Sequence, residues 1–374
     1  MNKHITVFDK YIFKQILTST LVAILLFTVV WLAPEELLNT IKHIMKGEYT
    51  VRVGIMGMLY EIPKILGKGL PVGLLLGTLF TFDKLSKDSE LTIFRAVGMS
   101  FGRIIRPLVV LSFIVTVLCF ITYDKLIPYS CQKSLEIKGK NFVTQFIYTQ
   151  KDAKNRPEHA VVVSRYNNGI MSDVIYMDFA DKVFDDLHGL ENVIVAEHGE
   201  MGVNDEGVPC WNLSDIKSYD ISEEGIFKAI RHIDKMNILD GEVSENAFKL
   251  MQYSTKKERE ITNGDLRKYV ALLKKENMDE EYRLMYNKYL QRYLHPFLCM
   301  LFAIIGALLG FSKPREQKLI GFTIAIGCIF AYYITLPFFD LMAEKGILPP
   351  LITASLPPVC FLIAIVAFYK SRDF

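Results

Sequence analysis

The sequence predicts an α-helical membrane protein of six transmembrane helices with an inserted soluble β domain. Two observations carry this prediction: long stretches lack Asp, Glu, Lys and Arg, and a polar block of residues 124–292 separates the first half from the second. About 20 apolar residues are needed to cross hydrocarbon as a helix. The uncharged stretches are residues 15–34, 107–123, 293–312, 319–339 and 346–369. A shorter run, residues 69–82, becomes the second span if the helix extends back through Lys64 and Lys68.

Composition agrees with a chain that has a membrane part and a water-soluble part. The sequence is 51% hydrophobic yet 22% charged. Its formal net charge of +2 gives no indication of a nucleic-acid partner, and we expect none.

Lysine and arginine near the span ends predict the orientation, because cytoplasmic loops carry an excess of them. The residues on the basic side are Lys3, Lys10, Lys14, Lys84, Lys87, Arg95, Arg103, Arg106, Lys313, Arg315, Lys318, Lys370 and Arg372. The opposite loops have mixed charge. We therefore expect both termini in the cytoplasm and residues 124–292 outside it.

The domain organisation follows from these boundaries. Residues 1–123 supply three transmembrane helices, with a short cytoplasmic helix near residues 88–98. A β domain occupies residues 124–260, a helical linker residues 261–292, and the last three transmembrane helices residues 293–374.

The polar block is predicted as β structure followed by helix. The candidate strands, rich in Val, Ile, Tyr and Trp, are residues 160–164, 174–179, 192–197 and 211–213. Turns are predicted at residues 167–169, 188–189 and 205–207. Short strands with turns between them indicate a sandwich or a jelly roll. Its open edges would accept a partner's strand, or the domain would act as a plain spacer.

Helical periodicity begins near Asn263. Leu266 and Tyr269 open an apolar repeat, and Thr262 with Asp265 predicts a capping box. A second helix is predicted at residues 279–292, leading into the fourth span.

The chain lacks the phosphate-binding loop G-x-x-x-x-G-K-[ST], so energy for active work would come from a partner. No histidine of the polar block has a recognised metal spacing, and we expect no cofactor and no catalytic residue. A disulfide between Cys131 and Cys210 is left open, since spacing alone does not establish one.

Basic residues of the second span form a candidate lipid site. Lys64 and Lys68 are four residues apart and share one helix face. They either snorkel to the head-group region or line a cavity that holds an anionic lipid head group. Arg52 would add to the same patch.

The connection between the second and third spans carries the sharpest local pattern. Asp88 or Ser89 would cap a helix that begins at Glu90, and Gly98 suits a left-handed turn at its end. The helix either presses into a groove of another protein or lies flat on the lipid surface.

Residues 85–100 match every fixed position of L-x-x-D-S-E-L-x-x-x-R-A-x-G-x-S. This segment resembles the cytoplasmic coupling segment of the lipopolysaccharide export permeases, the LptF/LptG family. Weaker similarity covers most of the chain, including Pro63 and Pro71, the β strands and residues 346–350.

The resemblance implies a permease subunit, not an enzyme, in a bacterial inner membrane. Two such permeases pair, and a cytoplasmic ATPase dimer that uses ATP docks on their coupling helices. Together they extract lipopolysaccharide and pass it through periplasmic β-jellyroll domains to a bridge protein of like fold. Residues 142–146 and the later strands would line its acyl-chain groove.

The same resemblance assigns roles to residues of the coupling segment. Glu90 would pair with a basic residue of the ATPase, Leu91, Phe94 and Arg95 would fill its groove, and Gly98 would end the helix. From charge and depth, we add that Lys64, Lys68 and Arg52 would contact the lipid phosphates. Two alternatives remain: a permease-like regulatory subunit, acting on another lipid or signalling across the membrane, and a lipid-modifying enzyme.

Overall fold

The computed structural model describes residues 6–138, 146–151, 156–167, 169–181, 188–204, 206–221, 227–239, 241–311 and 319–370. Its contacts divide the chain into two compact units. The first combines Met1–Lys138 with Glu280–Phe374, and the second is Gly139–Asp279.

The first unit is helical. Its helices are α1 (Val7–Leu32), α2 (Leu38–Met45), α3 (Val51–Lys87), α4 (Glu90–Ala96), α5 (Phe101–Ile121), α6 (Ile127–Ile137), α9 (Asp279–Leu294), α10 (Leu298–Gly310), α11 (Leu319–Glu344) and α12 (Pro350–Lys370). The second unit contains α7 (Gly241–Ser254) and α8 (Asn263–Lys275).

Six helical segments among the described residues are long and apolar enough to cross a membrane, as the uncharged runs predict. They are Val7–Leu32, Val51–Lys87, Phe101–Ile137, Asp279–Gly310, Ile320–Glu344 and Pro350–Lys370. The second of them is α3, so the short run at residues 69–82 does extend back through both lysines. The basic loop at residues 313–318 lies outside the described residues.

Helix α3 lies at the centre of the first unit. In its most apolar window 78% of the residues are buried, against 11% for the fifth segment. Two glycines allow close helix contacts on α3. A Cβ on Gly77 would lie 2.5 Å from the Thr20 Cα of α1, and one on Gly306 of α10 would lie 2.4 Å from the Leu75 carbonyl oxygen. Small residues let helix backbones approach in this way in membrane proteins.

Two π-helical turns carry helices beyond the predicted membrane borders. Ala33–Leu37 joins α1 to α2, and Thr122–Leu126 joins α5 to α6. The predicted soluble block begins at residue 124, whereas the helix continues to Ile137 and the first unit to Lys138. The charges of Asp124 and Lys125 end the apolar run but not the helix, because α6 buries Ile127 and Cys131 in the first unit.

The second unit contains a six-stranded antiparallel sheet. Its strands are β1 (Phe146–Lys151), β2 (Pro157–Asn167), β3 (Ile170–Asp181), β4 (His188–Val203), β5 (Pro209–Ile221) and β6 (Phe227–Ile238). They are hydrogen-bonded in the order of the sequence. Across the described strands this is an up-and-down meander, and the crossovers that define a jelly roll are not among their connections.

The four predicted strands are confirmed within β2, β3, β4 and β5. The turn predicted at residues 188–189 is wrong, because these residues begin β4 and pair with Asp181 and Ala180. Gly169 and Gly207 do adopt positive φ angles, of 93° and 75°. Asn168, Asp205 and residues 142–145 of the predicted groove lie outside the described residues.

Helix α7, which the sequence patterns did not predict, is hydrogen-bonded to β5. The Trp211 indole donates to the Ser244 carbonyl oxygen at 3.2 Å, and the Trp211 side chain is fully buried. Nearby, the Tyr148 hydroxyl of β1 donates to the Glu276 carboxylate at 2.7 Å. Burial and this carboxylate raise the pKa of Tyr148 well above its usual value, so the hydroxyl stays protonated as a donor.

Helix α8 confirms the predicted cap and apolar face. The Thr262 hydroxyl accepts from the Asp265 amide at 3.2 Å, and Leu266, Tyr269 and Leu273 are buried. The predicted linker at residues 261–292 is divided, since α8 belongs to the second unit and α9 continues into the fourth span. Cys131 and Cys210 are buried thiols in different units.

Candidate functional site

The short helix predicted near residues 88–98 is confirmed as α4, between the end of α3 and the start of α5. Its end forms as predicted, since Gly98 has φ 85° and a Cβ there would meet nothing within 4 Å. Its beginning differs from the prediction. Ser89 has a left-handed backbone, φ 61°, and its side chain makes no capping hydrogen bond. A capping serine normally adopts an extended backbone, whereas Ser89 lies in a left-handed turn between α3 and α4.

The apolar side chains of α4 point in two directions. Leu91 is 3% exposed and lies in the hydrophobic core formed by α1, α3, α5 and α10, and the partly buried Phe94 packs against this core. Ile93 and Val97 are 58% and 77% exposed. Arg95 is also exposed. Leu91, which was predicted to fill a partner's groove, is therefore already packed against its own chain. The exposed apolar surface of this segment consists of Ile93, Ala96 and Val97.

Glu90 accepts a hydrogen bond from α1. The Tyr11 hydroxyl lies 2.9 Å from Oε1 and 3.0 Å from Oε2 of the Glu90 carboxylate. The Gln15 side-chain amide donates to the same hydroxyl at 2.7 Å. Sequence reading missed this partner because Tyr11 precedes Glu90 by 79 residues and carries no charge.

Lys64 lies in a buried ion cluster. Its Nζ is 2.6 Å from Glu36 Oε1 and 3.1 Å from Glu61 Oε2, and its side chain is 10% exposed. Glu61 in turn accepts from the Ser134 hydroxyl at 2.9 Å and lies 3.4 Å from Lys138 Nζ. The two π-helical turns bring Glu36 and Lys138 to this cluster by prolonging α1 and α5 beyond the apolar runs.

The other two predicted lipid contacts have different surroundings. Lys68 is half-buried, with Nζ 5.8 Å from the centroid of the Trp31 ring. Arg52 is exposed in the first turn of α3. At 1.5 Å per residue it lies about 18 Å from Lys64 along the helix axis. The structure thus brings Lys64 and Lys68 together within about one turn and leaves Arg52 apart.

The second half of the first unit has a polar cluster of its own, around Asp340 of α11. Asn287 and Gln291 of α9 each donate to Asp340 Oδ1 at 2.8 Å, and Lys288 forms an ion pair with the same carboxylate. The Thr353 hydroxyl of α12 donates to Asn287 at 2.9 Å. Three membrane-spanning segments are joined at this point.

Two observations on the described residues concern motifs of enzyme chemistry. Residues 98–102 carry the letters G-x-S-x-G, which in hydrolases mark a nucleophile at a strand-to-helix turn. Here Ser100 stands instead between helix α4 and helix α5. No group of three or more His, Cys, Asp and Glu among the described residues is arranged to hold a metal ion.

These features define a multi-span membrane protein with a short, outward-facing helix between two spans and a large inserted sheet. The family model of the lipopolysaccharide export system permease LptF/LptG matches residues 10–371, nearly the whole chain. The chain therefore belongs to the LptF/LptG family, whose members are inner-membrane transport subunits rather than enzymes. A search of curated proteins gave no match.

Proposed function

We propose that this chain is a permease subunit of an ATP-driven exporter that extracts lipopolysaccharide from the inner membrane and passes it to a periplasmic bridge toward the outer membrane. Its partners are a second permease of the family, a cytoplasmic ATPase dimer and a bridge protein of jelly-roll fold. The observation that carries the proposal is the family match over residues 10–371, which includes α4.

The exposed face of α4 supports docking of an ATPase. Ile93 and Val97 leave apolar surface in water, which is unfavourable unless a partner or lipid covers it. Glu90 and Arg95 flank this face and supply charge for recognition. Because α4 is connected to α3 and α5 by only a few residues at each end, force applied to it reaches two spans directly.

Energy from a partner fits the chemistry of the cargo. Moving an acyl chain from the bilayer into water costs about 0.8 kcal/mol per methylene. A lipid with several acyl chains needs both an energy source and an apolar receiving surface. We propose that the six-stranded sheet of the second unit supplies that surface on the periplasmic side, with both chain termini in the cytoplasm.

We further propose that Lys68 contacts the anionic head group of the lipid, that Arg52 contacts it separately near the start of α3, and that the buried Lys64 stabilises the packing of the helices. Half-buried Lys68 and exposed Arg52 fit direct contact better than Lys64, which already faces two carboxylates. Charge reversal by Lys68→Glu, with Lys249→Glu of the second unit as control, is expected to weaken lipid binding and leave ATPase docking intact. Unchanged lipid binding would favour a regulatory subunit that carries no lipid.

The proposal is tested by purifying the tagged chain from its native membrane in mild detergent. We expect an ATPase and a second permease to co-purify, and Glu90→Ala to weaken the ATPase association while membrane insertion survives. Isolation of the chain without either partner, or normal export by Glu90→Ala, would count against it.

Orientation has its own test. A cysteine at position 230, in β6, replaces a side chain that is 68% exposed. In cells with a permeabilised outer membrane, an impermeant maleimide is expected to label Ile230→Cys and not the parent chain. Labelling only after the inner membrane is broken would place the sheet in the cytoplasm.

A further inference from the structure

The first three turns of α1 contact both α4 and the start of α5. The Phe8 and Phe94 rings meet edge to face, with centroids 4.8 Å apart. Arg103 of α5 donates to the Asp9 carboxylate at 2.5 Å and 3.0 Å. Together with the bond from Tyr11 to Glu90, these contacts attach α1 to the coupling helix and to the helix that follows it.

The geometry at Tyr11 orients the Glu90 carboxylate. Gln15 lies one turn beyond Tyr11 on the same helix face and donates to its hydroxyl oxygen, so the hydroxyl proton is directed to Glu90. A carboxylate has about four lone-pair positions. One hydroxyl near the two oxygens leaves the other positions available to a basic group of a docked protein.

We propose that Tyr11 is a positioning residue, which holds Glu90 in the orientation needed for the partner ATPase and links movement of α4 to the first span. Without this link, α4 would act on α3 and α5 through its short connections and on α1 through packing alone. The inference rests on the proposed function, because it gives the Tyr11–Glu90 contact a role in ATPase coupling.

The test uses the complete complex of both permeases and the ATPase dimer, reconstituted in vesicles with and without lipopolysaccharide. Tyr11→Phe removes one hydroxyl and keeps the ring, and Tyr129→Phe of α6 is the matched control. We expect Tyr11→Phe to reduce the lipid-dependent increase in ATP hydrolysis by about tenfold, the lower end of the effect of losing one hydrogen bond to a charged group. Tyr129→Phe should leave that increase unchanged.

A double-mutant cycle separates positioning from a general loss of structure. Glu90→Gln combined with Tyr11→Phe is expected to cost less than the product of the two single effects, since both remove the same contact. Gln15→Leu tests the same contact if Tyr11→Phe fails to fold, and it should give a smaller reduction of the same kind. Multiplicative effects, or a Tyr11→Phe complex that behaves like Tyr129→Phe, would overturn the positioning role.

The measurements distinguish failure of the proposed function from failure of the positioning role of Tyr11. If no ATPase binds the unmodified chain, or lipid never stimulates hydrolysis, the proposed function fails first. If the unmodified complex is stimulated and Tyr11→Phe is stimulated equally, only the link through Tyr11 is wrong.

Discussion

Glu90 and Lys64 lie in different parts of the same helical unit, and the surroundings of their charges differ. Glu90 follows the end of α3, is half-buried, and accepts from a neutral hydroxyl. Lys64 lies within α3, is buried, and faces two carboxylates. A charge whose contact within the chain is to a neutral group remains attractive to a partner. A charge balanced inside the chain mainly serves the fold.

Asp340 extends the comparison to the second half of the chain. Like Lys64, it lies where several helices meet, and it accepts from two amides beside an ion pair. Among the described residues, each half of the membrane unit therefore has a polar cluster around a central charge that joins several of its helices. In the described residues, α4 differs from both by presenting charge together with exposed apolar surface.

The largest expected effect is that of Lys64→Met. Removing this cation leaves Glu36 and Glu61 nearly buried beside each other, and Lys138 faces only Glu61. We expect the free energy of unfolding in detergent to fall by about 3 kcal/mol, the typical cost of breaking a buried ion pair. Lys68→Met is the control and should cost much less. Lys64→Met protein of full stability that no longer binds lipid would reverse the comparison and make Lys64 a ligand contact.

Gly306→Val tests the packing of α10 against α3, the helix that contains Lys64 and ends just before Glu90. A Cβ at position 306 would lie 2.0 Å from Thr78 Oγ1 and 2.4 Å from the Leu75 carbonyl oxygen of α3. Such overpacking is expected to cost about 2 kcal/mol, measured as a loss of thermal stability. Gly327→Val of α11 has open space at the Cβ and should be nearly silent. Equal effects of the two variants would contradict the close contact of α3 with α10.

Asp340→Asn is expected to have a smaller effect than Lys64→Met. Asparagine keeps one acceptor for Asn287 or Gln291 but removes the charge that faces Lys288. We expect a loss of about 1 kcal/mol in unfolding free energy. A loss as large as that of Lys64→Met would contradict this difference and show that the charge of Asp340 contributes as much to stability as the charge of Lys64.

Ile93→Asp should have the smallest effect on stability and a large effect on binding. The side chain is 58% exposed, so unfolding should change by less than about 0.5 kcal/mol. ATPase binding should weaken by about tenfold or more, the loss expected for a central apolar contact. Met45→Asp, at an exposed position of α2, is the control. Unchanged ATPase binding by Ile93→Asp would show that the exposed face of α4 is not part of the docking surface.

The sequence was sufficient for the membrane helices and for α4, because both depend on local patterns. A run of about 20 apolar residues has few alternatives to a membrane helix. Gly98 and the acidic first turn delimit α4 within ten residues. The four predicted strands likewise depended on short runs of β-branched residues.

These local patterns could not predict which residues that are distant in the sequence come into contact. Glu36 is 28 residues from Lys64, in a stretch that reads as a loop until a π-helical turn continues α1. Leu91 and Ile93 are similar in hydrophobicity, and only packing against α1 and α5 decides which of them is buried. Residues 188–189 suggested a turn because of the glycine, but a long paired strand tolerates it.

The most direct test of ATPase docking on α4 is photo-cross-linking in the assembled complex, with a benzophenone amino acid at position 93 or at position 45. These positions belong to helices at opposite ends of α3, and both are exposed. The account predicts a covalent product with the ATPase from position 93 and none from position 45. Cross-linking from position 45, or none from position 93 in a complex that still contains the ATPase, would contradict it.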